Sequence, residues 1–104
     1  MTWTRVERPP RLYPGEAAVV RVAHDEYALY NVDGRLHAST NRCPHQGGSL
    51  GDGFLEGACV HCPLHGWAFD VRTGAAAYPA QPGRIHVVGV KEEDGALWLD
   101  VPEI

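Results

Sequence analysis

The sequence predicts an all-β fold, on three observations. Glycine and proline, 12 and 8 of the 104 residues, punctuate the chain at short intervals. The runs between them are short and rich in Val, Tyr, Leu and Ala, as half-buried strands are. No segment of helix length carries apolar residues with a 3.6-residue period.

In chain order, residues 17–23 and 27–32 read as strands, and Asp33-Gly34 joins the second to residues 35–39 as a two-residue hairpin. Ala58 to His61 reads as a short strand with Cys59 and His61 at alternating positions, which makes Cys59 a buried small hydrophobe. Toward the C-terminus, Arg84 to Lys91 and Ala96 to Val101 flank Glu92-Glu93-Asp94-Gly95, a second hairpin with a solvated acidic tip. Alternation places Ile85, Val87 and Gly89 on one face of its first strand and Leu97 and Leu99 on one face of its second. Residues 8–11 and 79–82 are irregular connections. Trp3 and Trp98 are expected as core or edge aromatics, and His24, His37 and His86 as surface imidazoles.

Composition narrows the function classes. A chain of 104 residues with 44% hydrophobic content supports one globular domain, expected over residues 1–104. The formal net charge is −4, and Lys91 is the one lysine among nine basic residues, which argues against a nucleic-acid footprint and for basic docking partners. No apolar run approaches the ~18 residues of a membrane span, and Met1 to Pro10 lacks the apolar centre of a secretory signal. A cytoplasmic protein without membrane contact or anchor is expected. Three cysteines are an odd count and too few for a disulfide scaffold, so they are expected as ligands or nucleophiles in a reducing compartment.

Their placement carries the chemistry. Residues 41–67 hold all three cysteines and three of the six histidines. Cys43-Pro44-His45 is followed, 16 residues later, by Cys62-Pro63-Leu64-His65, so two matched loops each offer one thiolate and one imidazole. Three readings of this set compete. One follows from a family resemblance. A second is a structural Zn²⁺ on the same four residues, within a zinc-stabilised binding module, although structural zinc favours cysteine pairs two to four residues apart. A third uses Cys59-x-x-Cys62 with His61 as a zinc or redox pair.

Cys43-x-His45 and Cys62-x-x-His65, with Pro44, Gly47, Gly48, Pro63, Gly66 and Asp70 around them, resemble the Rieske iron–sulfur family over nearly the whole chain. The resemblance implies a Rieske-type antiparallel β-sandwich with a small cluster-binding subdomain of two loops, inserted at about residues 41–67. It implies one [2Fe–2S] cluster per chain, with Cys43 and Cys62 on the inner iron and His45 and His65 on the outer, solvent-facing one. Neutral imidazoles in place of two thiolates remove negative charge and raise the potential, and a ring edge at the surface offers an electron exit. Gly47, Gly48 and Gly66 are expected at positive φ with backbone N–H groups near the sulfides, and Trp67 beneath the second loop.

Respiratory members of that family carry an additional disulfide-bonded Cys in each loop and hydroxyl donors from a Ser and a Tyr. The corresponding residues here are Gly48, Leu64, Trp67 and Phe69, which implies a potential toward the low end of the range, near about −150 mV. The chain is similar to the small Rieske ferredoxins of ring-hydroxylating oxygenases and to the small subunit of NAD(P)H-dependent nitrite reductase. The implied function is not catalysis. It is one-electron carriage from a flavin-containing reductase to a terminal oxygenase or other redox enzyme, with the nitrite reductase subunit as the alternative.

Overall fold

The computed structural model describes residues 1–44, 47–64 and 66–102, and its regular elements are nearly all strands. They are β1 (Thr2–Arg5), β2 (Ala17–Val22), β3 (Asp25–Val32), β4 (Arg35–Thr40), β5 (Phe54–Glu56), β6 (Cys59–His61), β7 (Ala68–Asp70), β8 (Ala76–Tyr78), β9 (Val87–Glu93) and β10 (Ala96–Val101). A 3₁₀ turn, Leu50–Asp52, precedes β5. No helix of the described residues is long and apolar enough to cross a membrane.

The strands form two antiparallel sheets, one in the order β1-β10-β9-β4-β3-β2 and one in the order β5-β6-β7-β8. The large sheet folds over at the two-residue contact between β4 and β9, Ala38 with Val88 and Ser39 with Val87. Its outer strands then approach one another, and the Glu7 N–H reaches the Arg21 carbonyl at 3.4 Å. This is the expected all-β sandwich.

The predicted hairpin at Asp33-Gly34 is present, with φ of +52° and +91°, the signs of a type I′ turn whose twist matches its strands. The C-terminal hairpin is tighter than expected. Its strands run on to Glu93 and Ala96, so the turn is Asp94-Gly95 alone.

β3 organises the interior, because both of its faces are buried. Tyr27 and Leu29 point into one apolar core with Val22, Val88, Leu97 and Leu99. Ala28 and Tyr30, one residue out of phase, point into a second core with Cys43, Leu50, Cys62 and Phe69. The period of two thus gives one strand to two cores. The second core lies under the small sheet, whose inner residues Leu55, Val60, Phe69 and Ala76 pack on it.

The approach to β9 departs from the expected alternation. Ile85 is 2% exposed in the second core, whereas Val87 is 37% exposed and Val88 lies in the first core. Ile85 is not yet part of the strand: its N–H donates to the Gly74 carbonyl at 3.0 Å, and Arg84 bridges to Ala75. The chain passes from the small sheet to the large one between Ile85 and Val87, and the phase resets there.

Candidate metal centre

Two loops rise from the second core. The first runs from the end of β4 to the 3₁₀ turn and is fastened at its base by Asn41, which is 8% exposed. The Asn41 side-chain carbonyl accepts the Gly51 N–H at 2.7 Å, its amide donates to Ser49 Oγ at 2.9 Å, and its backbone carbonyl accepts the Leu50 N–H at 2.8 Å. Inside this frame the Cys43 N–H donates to the Gly48 carbonyl and the Gly47 N–H to the Cys43 carbonyl, both at 2.8 Å. The Cys43 backbone is held from both sides. Asn41 gave no sign in the sequence beyond being a loop-type residue, because its partners lie up to ten positions away.

The second loop joins β6 to β7, which pair through His61 and Ala68. The Cys62 N–H donates to the Trp67 carbonyl at 2.7 Å and closes it. Trp67 packs half-buried on the second core, its ring centroid 6.5 Å from that of Phe69, as expected for a residue under the loop. The Asp70 carboxylate is gripped by Arg72, Nε to Oδ1 at 3.1 Å and Nη2 to Oδ2 at 2.8 Å, which holds its pKa below the usual carboxylate value. It shapes the turn after β7 by accepting the Arg72 backbone N–H at 2.8 Å.

The loops bring Cys43 and Cys62 together. They are 1% and 2% exposed and lie in the same core, close enough for the Cys43 thiol to act on the pKa of Cys62. Burial pushes the Cys62 thiol up in pKa and the neighbouring Cys43 adds to this, while the Leu64 N–H donated to its sulfur acts in the opposite direction. Two adjacent buried sulfurs are a poor place for thiolate charge unless a cation offsets it, which is what a metal supplies. Beside them the backbone is bare: a Cβ on Gly48 would stand 2.6 Å from Cys62 Sγ. The donor set and the space both suit an iron–sulfur group. His45 and His65, with Gln46, lie outside the described residues.

Two expectations need correction. Gly47 and Gly66 are at positive φ, +72° and +71°, but Gly48 is not; it is glycine for space. Cys59 is half-buried, not buried, because it stands on the outer face of the small sheet opposite Glu56 and Asp70. His61 shares that face, stacked on Phe54 at 4.6 Å and 3.4 Å from the Glu56 carboxylate. Among the described residues, Cys59, His61 and Cys62 included, no three His, Cys, Asp or Glu side chains gather as a metal site. Cys59 thus stands half-buried on the outer face of β6, whereas Cys62 is buried in the second core.

The Rieske [2Fe-2S] domain family matches residues 2–94 of this chain. The chain belongs to that family. Among curated Rieske relatives, it is 47% identical over 85 residues, 82% of each chain, to the ferredoxin component of the naphthalene 1,2-dioxygenase/salicylate 5-hydroxylase systems of a Ralstonia species. Among solved structures it is similar to the Sphingomonas yanoikuyae B1 ferredoxin, with 37% identity, a TM-score of 0.81, and 94% of this chain and 97% of that one covered. It is also similar to a chain in the complex of reduced oxygenase and oxidised ferredoxin of carbazole 1,9a-dioxygenase, with 31% identity, a TM-score of 0.82, and 94% and 92% covered. The Rieske fold expected from the two loops is thus the fold observed.

Proposed function

We propose that this chain is a cytoplasmic one-electron carrier that takes an electron from a flavin-containing reductase and delivers it to a terminal oxygenase. It would hold one [2Fe–2S] cluster in a single domain over residues 1–104, with Cys43 and Cys62 on the inner iron and His45 and His65 on the outer one. When bound, such a cluster supplies a one-electron couple between its oxidised and reduced forms. The observation that carries the reading is the meeting of two buried thiols, one from each matched loop, in a chain with dioxygenase ferredoxin components among its relatives.

The residues around that pair divide the work. Asn41 and the Cys43–Gly48 bond fix the first loop, and the Cys62–Trp67 bond fixes the second, so little of the frame has to move when charge changes. The tips expose Pro44, Pro63 and Leu64, an uncharged contact face of the kind used in brief redox encounters, which bury under about 1,200 Å². The carrier itself transforms no substrate.

Metal and sulfide analysis tests the reading. Protein purified anaerobically is expected to be red-brown with two irons and two acid-labile sulfides per chain, and to be reduced by one electron. Cys43→Ala and Cys62→Ala are expected to abolish assembly, while Cys59→Ser, on the outer face of β6, retains it. A colourless protein holding one zinc would replace the carrier with a zinc-stabilised module, and a cluster that survives either alanine change would overturn the ligand assignment.

A further inference from the structure

Cys43 and Cys62 share the second core, which joins the bases of the two loops. All three cysteines are free thiols, so no disulfide joins the loops. Among the described residues, the backbone hydrogen bonds of each loop close on that same loop or on its base, and none crosses between them. Besides the Cys43–Cys62 approach, Leu64 crosses. Its Cγ and Cδ1 lie 3.2 Å from where a Cβ of Gly48 would be, so its side chain is seated on the bare Cα of the first loop. Gly48, on which it sits, is itself packed against Cys62, a Cβ there standing 2.6 Å from Cys62 Sγ. Leu64 is 43% exposed, so a large apolar residue at a loop tip is about half removed from water, with Gly48 among the groups it packs on.

We propose that Leu64 and Gly48 form an apolar latch that keeps the two loops closed over the Cys43–Cys62 pair and so slows loss of the bound iron–sulfur group. The inference rests on the cluster reading above. Both are positioning residues: neither is a ligand, and each acts through where it holds the ligand loops. Gly48 contributes the absence of a side chain, since its φ is ordinary and an alanine there would be excluded by Cys62 Sγ at 2.6 Å, not by backbone strain. Leu64 contributes the cover. It belongs to neither of the two cores, so its loss acts on the loops and leaves the scaffold intact.

The test uses the cluster-loaded protein, bleached anaerobically in excess chelator and followed by absorbance, with global unfolding of the same samples followed by far-ultraviolet circular dichroism. Leu64→Ala is expected to lose its cluster about tenfold faster than wild type, the effect of uncovering roughly half a leucine, with the global unfolding midpoint unmoved. Leu64→Ile, which refills the contact, is expected to return the rate to within about twofold of wild type. Gly48→Ala is expected to bleach faster as well, through displacement of Cys62. A wild-type bleaching rate in both Leu64→Ala and Gly48→Ala overturns the latch, as does faster bleaching accompanied by an equal fall in global stability. Wild-type protein that contains no iron and sulfide at all instead overturns the cluster reading, and the latch with it.

Discussion

Tyr30 has no exposed surface, yet its hydroxyl lies 2.8 Å from Ser39 Oγ in the core that carries Cys43 and Cys62. Burial drives the phenol pKa well above its ordinary value, only partly opposed by the Ser39 hydrogen bond. Below pH 10 the phenol is neutral in both folded and unfolded chains, and its full contribution to stability is present. As the pH rises past 10 the unfolded chain ionises first, and the contribution is progressively lost. Removing the hydroxyl leaves Ser39 Oγ its second partner, the Thr40 carbonyl at 2.9 Å, so no buried group is orphaned. Tyr30→Phe is therefore expected to cost about 1 kcal/mol at neutral pH. That deficit should shrink above pH 10, because phenylalanine has nothing to ionise. Urea unfolding of both proteins at pH 7 and pH 10.5 checks it; a deficit that stays constant or widens shows that the phenol is not held neutral.

The segment from Gly74 to Val88 raises the same question at the level of whole strands. Strict alternation groups Ile85 with Val87, but the crossing between sheets puts Ile85 in the second core and leaves Val87 on the surface. Ile85→Ala is expected to cost about 2–5 kcal/mol through the cavity it leaves, and Val87→Ala to stay within about 0.5 kcal/mol. Denaturant midpoints of the two variants, if equal, would restore the unbroken alternation. The difference marks what a sequence can and cannot disclose. The hairpins around Asp33-Gly34 and Asp94-Gly95 were legible because turn chemistry and strand period are local signals. β5 to β8 are three residues each, too short to display a period, and they exist through pairing with one another and packing on Phe69 and Tyr30. At the candidate centre, the matched loops were legible in Cys43-x-His45 and Cys62-x-x-His65, and the structure buries Cys43 and Cys62 in one core. The Asn41 brace and the seating of Leu64 on Gly48 were not legible, since each depends on which loop faces which.

At the scale of the whole molecule, charge sets the remaining expectation. The chain carries a formal charge of −4, and on the proposed ligation two deprotonated cysteines on an oxidised [2Fe–2S]²⁺ core would leave that value unchanged. Reduction adds one further negative charge to a molecule that already has a surplus. Several pairs cancel locally, Arg21 with Glu26 at 3.5 Å, Arg72 with Asp70 at 2.8 Å and Lys91 with Glu93 at 3.7 Å, so the surplus resides in the remaining acids. The molecule extends 39 × 30 × 19 Å, larger than the ~10 Å over which charge is felt at 0.1 M salt, so the reach of its surface acids depends on ionic strength. At low salt they oppose reduction; at high salt they are screened. The midpoint potential is therefore expected to rise as sodium chloride is raised from about 0.02 to about 0.5 M. Spectroelectrochemical titration measures it directly, with the iron and sulfide content confirmed before and after. One local charge opposes the surplus: Arg42, the one Lys or Arg between residues 41 and 67, whose Nε lies 3.3 Å from where a Cβ of Gly47 would stand. A potential that stays level or falls with salt would mean that this guanidinium, and not the net charge, governs the field at the two loops.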